Sequence, residues 1–222
     1  MPLQTQVVSF NSANASALDA LESLLSRLLP HSLSLLRRIQ YARHRGAVTE
    51  HARVIFVSPD ELTACLAHRD EDLFFTAAFV DVSGGPEPQM WLHSTLEIAE
   101  PEREPGDDEA AYGAQLDLVV SAIARLAKSY GRPLQFGDAV LVGSLPERIQ
   151  ALLEGAASHR GGARGRMGLT HRENILYERW LFRAEDLPSG DGEPLEEGLV
   201  WDVARESDLE DIISKNPVHR TP

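Results

Sequence analysis

Three side chains in the middle of the chain have the chemistry to accept a proton: Asp81, His93 and Glu97. A carboxylate or an imidazole held close to an amine can act as a general base. Asp81 follows the apolar run of residues 73–82, and His93 and Glu97 lie in the alternating segment 89–98. These three residues are the candidate catalytic groups of the sequence.

The same three residues also have structural interpretations. In an extended segment His93 shares a face with Trp91 and Thr95, which forms either the wall of a small-ligand cleft or a half-buried surface under a helix. Asp81 precedes a turn and is placed to cap it. Glu97 is either polarised by burial or faces water.

A glycine- and arginine-rich loop at 159–168 is the candidate phosphate-binding segment. Backbone N–H groups of glycines and guanidinium groups both bind anions, so Arg160, Gly162, Arg164 and Gly165 are the candidate cofactor contacts. The loop does not precede a helix, as phosphate-binding loops usually do. Its alternative role is a connector between a helix and a strand.

Other common kinds of reactive site are missing from the sequence. The histidines lack the paired spacing of a metal site, and the single cysteine, Cys65, has no cysteine or histidine partner at ligand spacing. There is neither a Gly-x-Ser-x-Gly elbow nor a phosphate-binding P-loop. We therefore expect no metal and no hydrolase of the nucleophilic type.

The hydrophobic pattern predicts the elements that would position these side chains. A short strand is followed by two leucine-rich helices, the second closed by Gly46. Three extended segments follow, and Ser58 is predicted to cap a short helix after the first of them. A long helix, a short strand, a helix capped by Ser144 and a long strand complete the order. The predicted ranges are 7–10, 18–28, 32–45, 53–57, 62–67, 73–82, 89–98, 109–129, 139–142, 146–153 and 174–182.

Composition indicates one globular domain of roughly 180 residues with a tail. The 222 residues are 43% hydrophobic, and the net charge of −13 opposes binding to nucleic acid or anionic membranes. A basic stretch at 37–53 is interpreted as the solvated face of a helix rather than a phosphate-binding stripe. The single cysteine fits a reducing compartment, and no apolar run approaches the ~20 residues of a membrane span. We expect a cytoplasmic protein.

The order of these elements resembles the GNAT superfamily of acyl-CoA-dependent N-acyltransferases. Short strings at 75–81, 85–92 and 94–97, and the tail at 198–209, are similar to two-domain fungal members and to the glycine N-acyltransferase arrangement. In those proteins a degenerate N-terminal copy of the fold precedes an active C-terminal copy. The resemblance implies an α/β fold with a mixed, mostly antiparallel central sheet flanked by helices.

The resemblance also divides the chain. It implies a GNAT-like domain at 1–184 that is degenerate, a linker at 185–198 and a strand–helix stub at 199–222. The linker is rich in proline, glycine and charge, as linkers commonly are. The stub resembles the start of a second GNAT-like domain, so that such a domain or a second copy of the chain is the expected partner.

Acetyl-CoA or another acyl-CoA is the cofactor that the resemblance implies, with a small-molecule amine as acceptor. The family binds the cofactor's pyrophosphate at a helix N-terminus, with a loop of the form Gln/Arg-x-x-Gly-x-Gly/Ala. No stretch of this chain fits that loop. At the expected position, residues 100–109 hold six carboxylates and two prolines. Each carboxylate repels a pyrophosphate, and each proline removes an N–H donor.

Three hypotheses for the function follow. The first is a non-catalytic or degenerate acyltransferase module that shapes a substrate cleft or holds a partner domain. The second is an active acyl-CoA-dependent N-acyltransferase with a non-standard cofactor loop. The third is an interaction module that pairs through an exposed sheet edge or through the segment 199–215.

Overall fold

The computed structural model describes residues 2–44, 48–83, 90–98, 107–132, 140, 142–143 and 145–158. Strands and helices follow one another in the order β1, α1, α2, β2, α3, β3, β4, α4, β5, α5. The strands are β1 (Gln4–Ser9), β2 (Ala52–Ser58), β3 (Thr76–Asp81), β4 (Met90–Ser94) and β5 (Val142–Gly143). The helices are α1 (Ala15–Arg27), α2 (Leu33–Ala42), α3 (Leu62–Cys65), α4 (Asp107–Tyr130) and α5 (Glu147–Ser158).

In the described part of the chain the strands form one sheet in the order β1-β2-β3-β4-β5. The neighbours from β1 to β4 are antiparallel, and β5 pairs parallel to β4. A parallel neighbour requires a long crossover connection, and α4 supplies it. The register places His93 opposite Ala77 and Ser94 opposite Thr76.

Helices cover both faces of the sheet and bury two separate apolar clusters. Val54 and Phe56 of β2 pack with α1 and α2 on one face, and Ile55 and Val57 pack with α4 on the other. Alternate residues of a strand point to opposite faces, so a strand covered on both sides must be apolar throughout. This accounts for the near-continuous apolar run at β3, which is buried at every position.

The predicted fold class is confirmed: the protein has a mixed, mostly antiparallel sheet flanked by helices. The predicted helix and strand order also agrees with the structure from β1 to α5. The last predicted strand, 174–182, lies outside the described residues, as do the linker and the stub. In the part that the structure describes, no helix has the length and apolarity needed to span a membrane.

Several predicted boundaries were wrong: α5 extends to Ser158 rather than 153, and β5 lies at Val142–Gly143 rather than 139–142. The N-cap of α3 is Glu61 and not Ser58: the Ser58 hydroxyl donates to the carbonyl of Phe74 and accepts from the backbone N–H of Asp60, which precedes the helix. Helix α2 ends at Ala42, four residues before Gly46, so that glycine does not close the helix. Local sequence signals therefore placed these helix boundaries a few residues away from where the helices begin and end.

The strand that carries His93 is shorter than the alternation predicted. β4 stops at Ser94, and a 3-10 turn follows over Thr95–Glu97. The Ser94 hydroxyl accepts from the backbone N–H of Leu96, and the Glu97 carboxylate accepts from the backbone N–H of Ser94 at 3.2 Å. This reciprocal capping box starts the turn and ends the strand.

Candidate functional site

The candidate site lies where the parallel strands β4 and β5 separate. Met90 pairs with Val142 and Trp91 with Gly143, and the pairing of the described residues stops there. β4 continues from Leu92 to Ser94 and then turns, so its carboxyl end has no strand on its β5 side in the described part of the chain. In open α/β sheets, ligands bind at the carboxyl ends of such separating strands.

His93 and Glu97 meet at this end of β4. The imidazole Nδ1 lies 3.1 Å from the Glu97 carboxylate oxygen, and the two side chains are 1% and 7% exposed. An ionised carboxylate only accepts hydrogen bonds, so with Glu97 ionised the Nδ1–H of His93 donates a hydrogen bond to it. The structure therefore joins two of the three predicted catalytic residues into one buried pair.

The second ring nitrogen of His93, Nε2, is buried and has no hydrogen-bond partner among the described residues. In the neutral tautomer that carries its hydrogen on Nδ1, Nε2 presents a lone pair. The ring of Phe75 packs edge-to-face on the imidazole, with the two centroids 6.0 Å apart. Leaving a buried polar atom without a hydrogen-bond partner costs about 1–3 kcal/mol, so a hydrogen-bond donor at Nε2 would be stabilising.

An arginine packs against aromatic rings beside this pair. The Arg38 guanidinium of α2 lies 4.4 Å from the ring centroid of Trp91 and 4.7 Å from that of Phe79. Trp91 is half-buried and shares its face of β4 with His93, as the alternation predicted. Thr95 does not share it, because the 3-10 turn redirects this residue to Phe75 and Tyr112.

The opposite face of the same corner holds a buried polar network that anchors α4. Gln115 accepts from the Thr76 hydroxyl at 2.7 Å and donates to the carbonyl of Phe74 at 3.3 Å. The hydroxyls of Thr76 and Ser94 lie 3.0 Å apart, and those of Thr95 and Tyr112 lie 3.1 Å apart. α4 is thereby fixed to the end of the sheet at which it begins.

The corner is held from the α5 side as well. Arg148 of α5 donates to the carbonyl of Leu96 at 2.9 Å, within the 3-10 turn that follows β4. Both helices that flank the parallel pair therefore contact the turn between His93 and Glu97. Sheet, crossover helix and polar corner together form a candidate ligand-binding end of the sheet, although a fold alone does not determine which reaction such a site serves.

Comparison with protein families identifies the class of protein. The family model described as the acyl-CoA N-acyltransferase verG N-terminal domain matches residues 4–180. The chain belongs to this family. No match was found among curated proteins or among solved structures. The verG N-terminal family thus confirms the resemblance to acyl-CoA N-acyltransferases that the order of elements indicated.

In this verG-type domain Asp81 lies away from the polar corner. It pairs with Ala52, whereas His93 pairs with Ala77, four residues earlier on the same strand β3. The Asp81 carboxylate accepts four hydrogen bonds, from the backbone N–H and hydroxyl of Thr49 and from those of Ser83. It closes the turn that follows β3.

The predicted cofactor contacts Arg160, Gly162, Arg164 and Gly165 lie outside the described residues, so they stay a prediction. No metal-binding group of histidine, cysteine, aspartate or glutamate occurs in the part of the domain that the structure describes. Cys65 is buried, and burial raises the pKa of its thiol, which disfavours the reactive thiolate.

The basic stretch is used for internal contacts. Arg43 pairs with Asp19 and Glu22 of α1, and Arg37 donates to Gln40. An open groove of about 470 Å³ next to Arg43, lined also by Phe10, Leu18, Val48 and Thr49, lies at the Asp81 end of the sheet. It is therefore separate from the His93 corner.

Sequence reasoning missed the residues that come from the helices. Gln115 and Tyr112 follow the helical pattern of α4, and Arg38 follows that of α2, without any local signal of function. Only the packing of these helices on β3 and β4 brings their polar ends to the corner. The burial of Gln115, which is unusual for a glutamine, is known only from the structure.

Proposed function

We propose that this chain is a non-catalytic, degenerate acyltransferase module, which has the scaffold of an acyl-CoA N-acyltransferase but does not hold acyl-CoA itself. It acts beside a second, acyl-CoA-binding domain, for which it shapes the amine-substrate cleft or provides a docking partner. The family name refers to an N-terminal domain, which agrees with such a division.

The acidic start of α4 carries this proposal. α4 begins at Asp107, after the β4 corner, where the fold directs the N-terminus of its crossover helix to the carboxyl end of the parallel pair. Asp107, Asp108 and Glu109 form the first turn in the sequence, and three more glutamates precede them within seven residues. Carboxylates in the sequence at the positive end of the helix dipole would repel an added pyrophosphate.

The sequence of α5 supports the same conclusion. A departing thiolate needs a proton donor, and the resemblance assigns that role to a tyrosine in or near this helix. Residues 147–158 contain no tyrosine. Neither the anion-binding loop nor the general acid that the family uses is therefore present at its expected position.

The test is calorimetric titration of the full chain with acetyl-CoA, and with coenzyme A as a second ligand. We expect no heat and no thermal shift at millimolar concentration, because the acidic turn excludes the pyrophosphate. Binding in the micromolar range would overturn the proposal. It would then favour the loop at 160–168 as a non-standard cofactor site.

A matched variant distinguishes the effect of the acidic side chains from the effect of the loop backbone. Neutralising the first turn of α4 with D107N, D108N and E109Q removes three negative charges without shortening any side chain appreciably. If charge is the barrier, this variant binds acetyl-CoA more tightly than the wild type at low salt, and the gain falls as salt is added. An equal absence of binding would assign the barrier to the loop backbone instead.

An active N-acyltransferase is the second candidate, because of the His93–Glu97 pair. An imidazole oriented by a carboxylate through Nδ1 leaves Nε2 free to take a proton from an attacking amine. Activity requires acyl-CoA, so the same titration separates the two candidates. Turnover with acetyl-CoA that is lost in H93N would favour this second function.

A further inference from the structure

One segment of this acidic chain contains basic residues and no carboxylate. Residues 23–49 hold five arginines and neither aspartate nor glutamate, whereas the whole chain has a net charge of −13. Helix α2 lies within this segment. Positive charge is therefore concentrated around one helix of a protein that is otherwise negatively charged.

The arginines of this segment differ in their partners. Arg27 and Arg43 form salt bridges with carboxylates of the same molecule. Arg37 is exposed on α2, forms no salt bridge within the described part of the chain, and donates to the side-chain amide oxygen of Gln40 on the same helix. An amide oxygen does not neutralise a guanidinium, so the charge of Arg37 is left to solvent or to a partner.

An exposed aromatic ring lies beside this charge. Tyr41 follows Arg37 by one helical turn, so the two side chains share a face of α2. Tyr41 is 55% exposed, the largest value for a large apolar side chain among the described residues. The Arg38 guanidinium lies 5.5 Å from its ring centroid and 4.4 Å from that of Trp91, which joins Tyr41 to the sheet. Tyrosine, tryptophan and arginine are the residues that most often dominate the binding energy of protein interfaces.

From this combination we infer that the α2 face formed by Arg37, Arg38 and Tyr41 is a docking surface for an acidic segment of a partner protein. Carboxylates of the partner accept hydrogen bonds from Arg37, and an apolar side chain beside them packs on the ring of Tyr41. A nucleic acid or an anionic membrane is a poorer partner, because its extended negative charge would also meet the acidic remainder of the chain. The inference goes beyond the proposed function, which names no docking surface.

Two capped hexapeptides are the probes, titrated into the full chain and followed by NMR of its backbone amides. One has the sequence Glu-Glu-Leu-Glu-Glu-Leu, and the other has glutamine in place of each glutamate, which keeps the shape and removes the charge. We expect the acidic peptide to shift the amides of residues 37–44 saturably, with a dissociation constant of about 1 mM, because exposed ion pairs are individually weak. The neutral peptide should bind at least about fivefold more weakly, and added salt should weaken the acidic peptide.

R37Q and Y41S test the assignment, and R69Q is the matched control. Arg69 is exposed and pairs with Glu71 and Asp72, so R69Q changes the net charge by the same amount at a position outside α2. We expect R37Q and Y41S each to weaken binding of the acidic peptide about two- to fivefold, and R69Q to leave it unchanged. Far-ultraviolet circular dichroism confirms that each variant is folded.

Three results would overturn the inference. Absence of saturable shifts with the acidic peptide would mean that α2 has no such surface, and equal weakening by R37Q and R69Q would mean that only the overall charge matters. Tighter binding of tripolyphosphate than of the acidic peptide to the same amides would assign the face to phosphates. Acetyl-CoA titration tests the proposed function with a different ligand, so failure of one leaves the other measurable.

Discussion

Asp81 is a turn-closing carboxylate, and both of its oxygens are used. Thr49 and Ser83 each donate a backbone N–H and a hydroxyl to it, at 2.9 to 3.2 Å. We predict that D81N lowers the free energy of unfolding by about 1–3 kcal/mol, because the buried Asp81 side chain loses the charge that strengthens its hydrogen bonds to Thr49 and Ser83. Urea denaturation measures this.

The matched control is D72N. Asp72 is half-exposed and pairs with Arg69 on the surface, so its neutralisation should change stability by less than about 0.5 kcal/mol. A catalytic Asp81 would behave in the opposite way, since the variant would keep its stability while losing acyl transfer. Equal stability of D81N and wild type would therefore contradict the structural role.

At the scale of elements, Arg38 links helix α2 to the sheet by contacts with aromatic rings. Its guanidinium stacks on the rings of Phe79 and Trp91, which belong to β3 and β4. We predict that R38M, which keeps the length of the aliphatic stem but removes the cation, lowers the unfolding free energy by about 0.5–2 kcal/mol. Thermal and urea unfolding measure the difference.

Arg37, the neighbouring residue of α2, supplies the comparison. It is exposed, and its partner is Gln40 of the same helix. R37M should leave stability within about 0.5 kcal/mol of the wild type. If R37M and R38M were equally mild, the stacked rings would contribute nothing beyond their own packing, and the assignment of Arg38 as an anchor would fail.

At the scale of the whole molecule, stability is unequal across the sheet. β3 is buried at each of its six positions and has a strand on both sides, whereas β1 is an edge strand of the described sheet with mixed exposure. We predict that native-state hydrogen exchange is slowest in peptides covering 76–81 and fastest, among the four antiparallel strands, in those covering 4–9. Mass spectrometry of pepsin fragments measures it.

Strong protection of β1 would contradict this order. It would show that a further strand or a second copy covers that edge, which is the pairing that the interaction hypothesis requires. Dilution of the protein distinguishes these two sources, because protection by a second copy falls with concentration and protection within one chain does not. Hydrogen exchange therefore also tests the hypothesis that the chain is an interaction module pairing through a sheet edge.

Local pattern in the sequence was sufficient for most of the fold. Each element could be predicted from its own hydrophobic pattern, which does not depend on distant residues. Examples are the apolar run at β3, the leucines of α1 and the helical pattern of α4. The family followed from the order of these elements, and the acidic start of α4 was visible as composition alone.

Tertiary structure decided the site. Strand register decides where β4 separates from β5 and keeps Asp81 away from His93 and Glu97. Capping after β4 forms the 3-10 turn that brings Glu97 to His93. A shift of one residue in register or turn would point His93 at the other face. Local sequence does not determine this register, because the free energy that favours it comes from packing between elements that are distant in the chain.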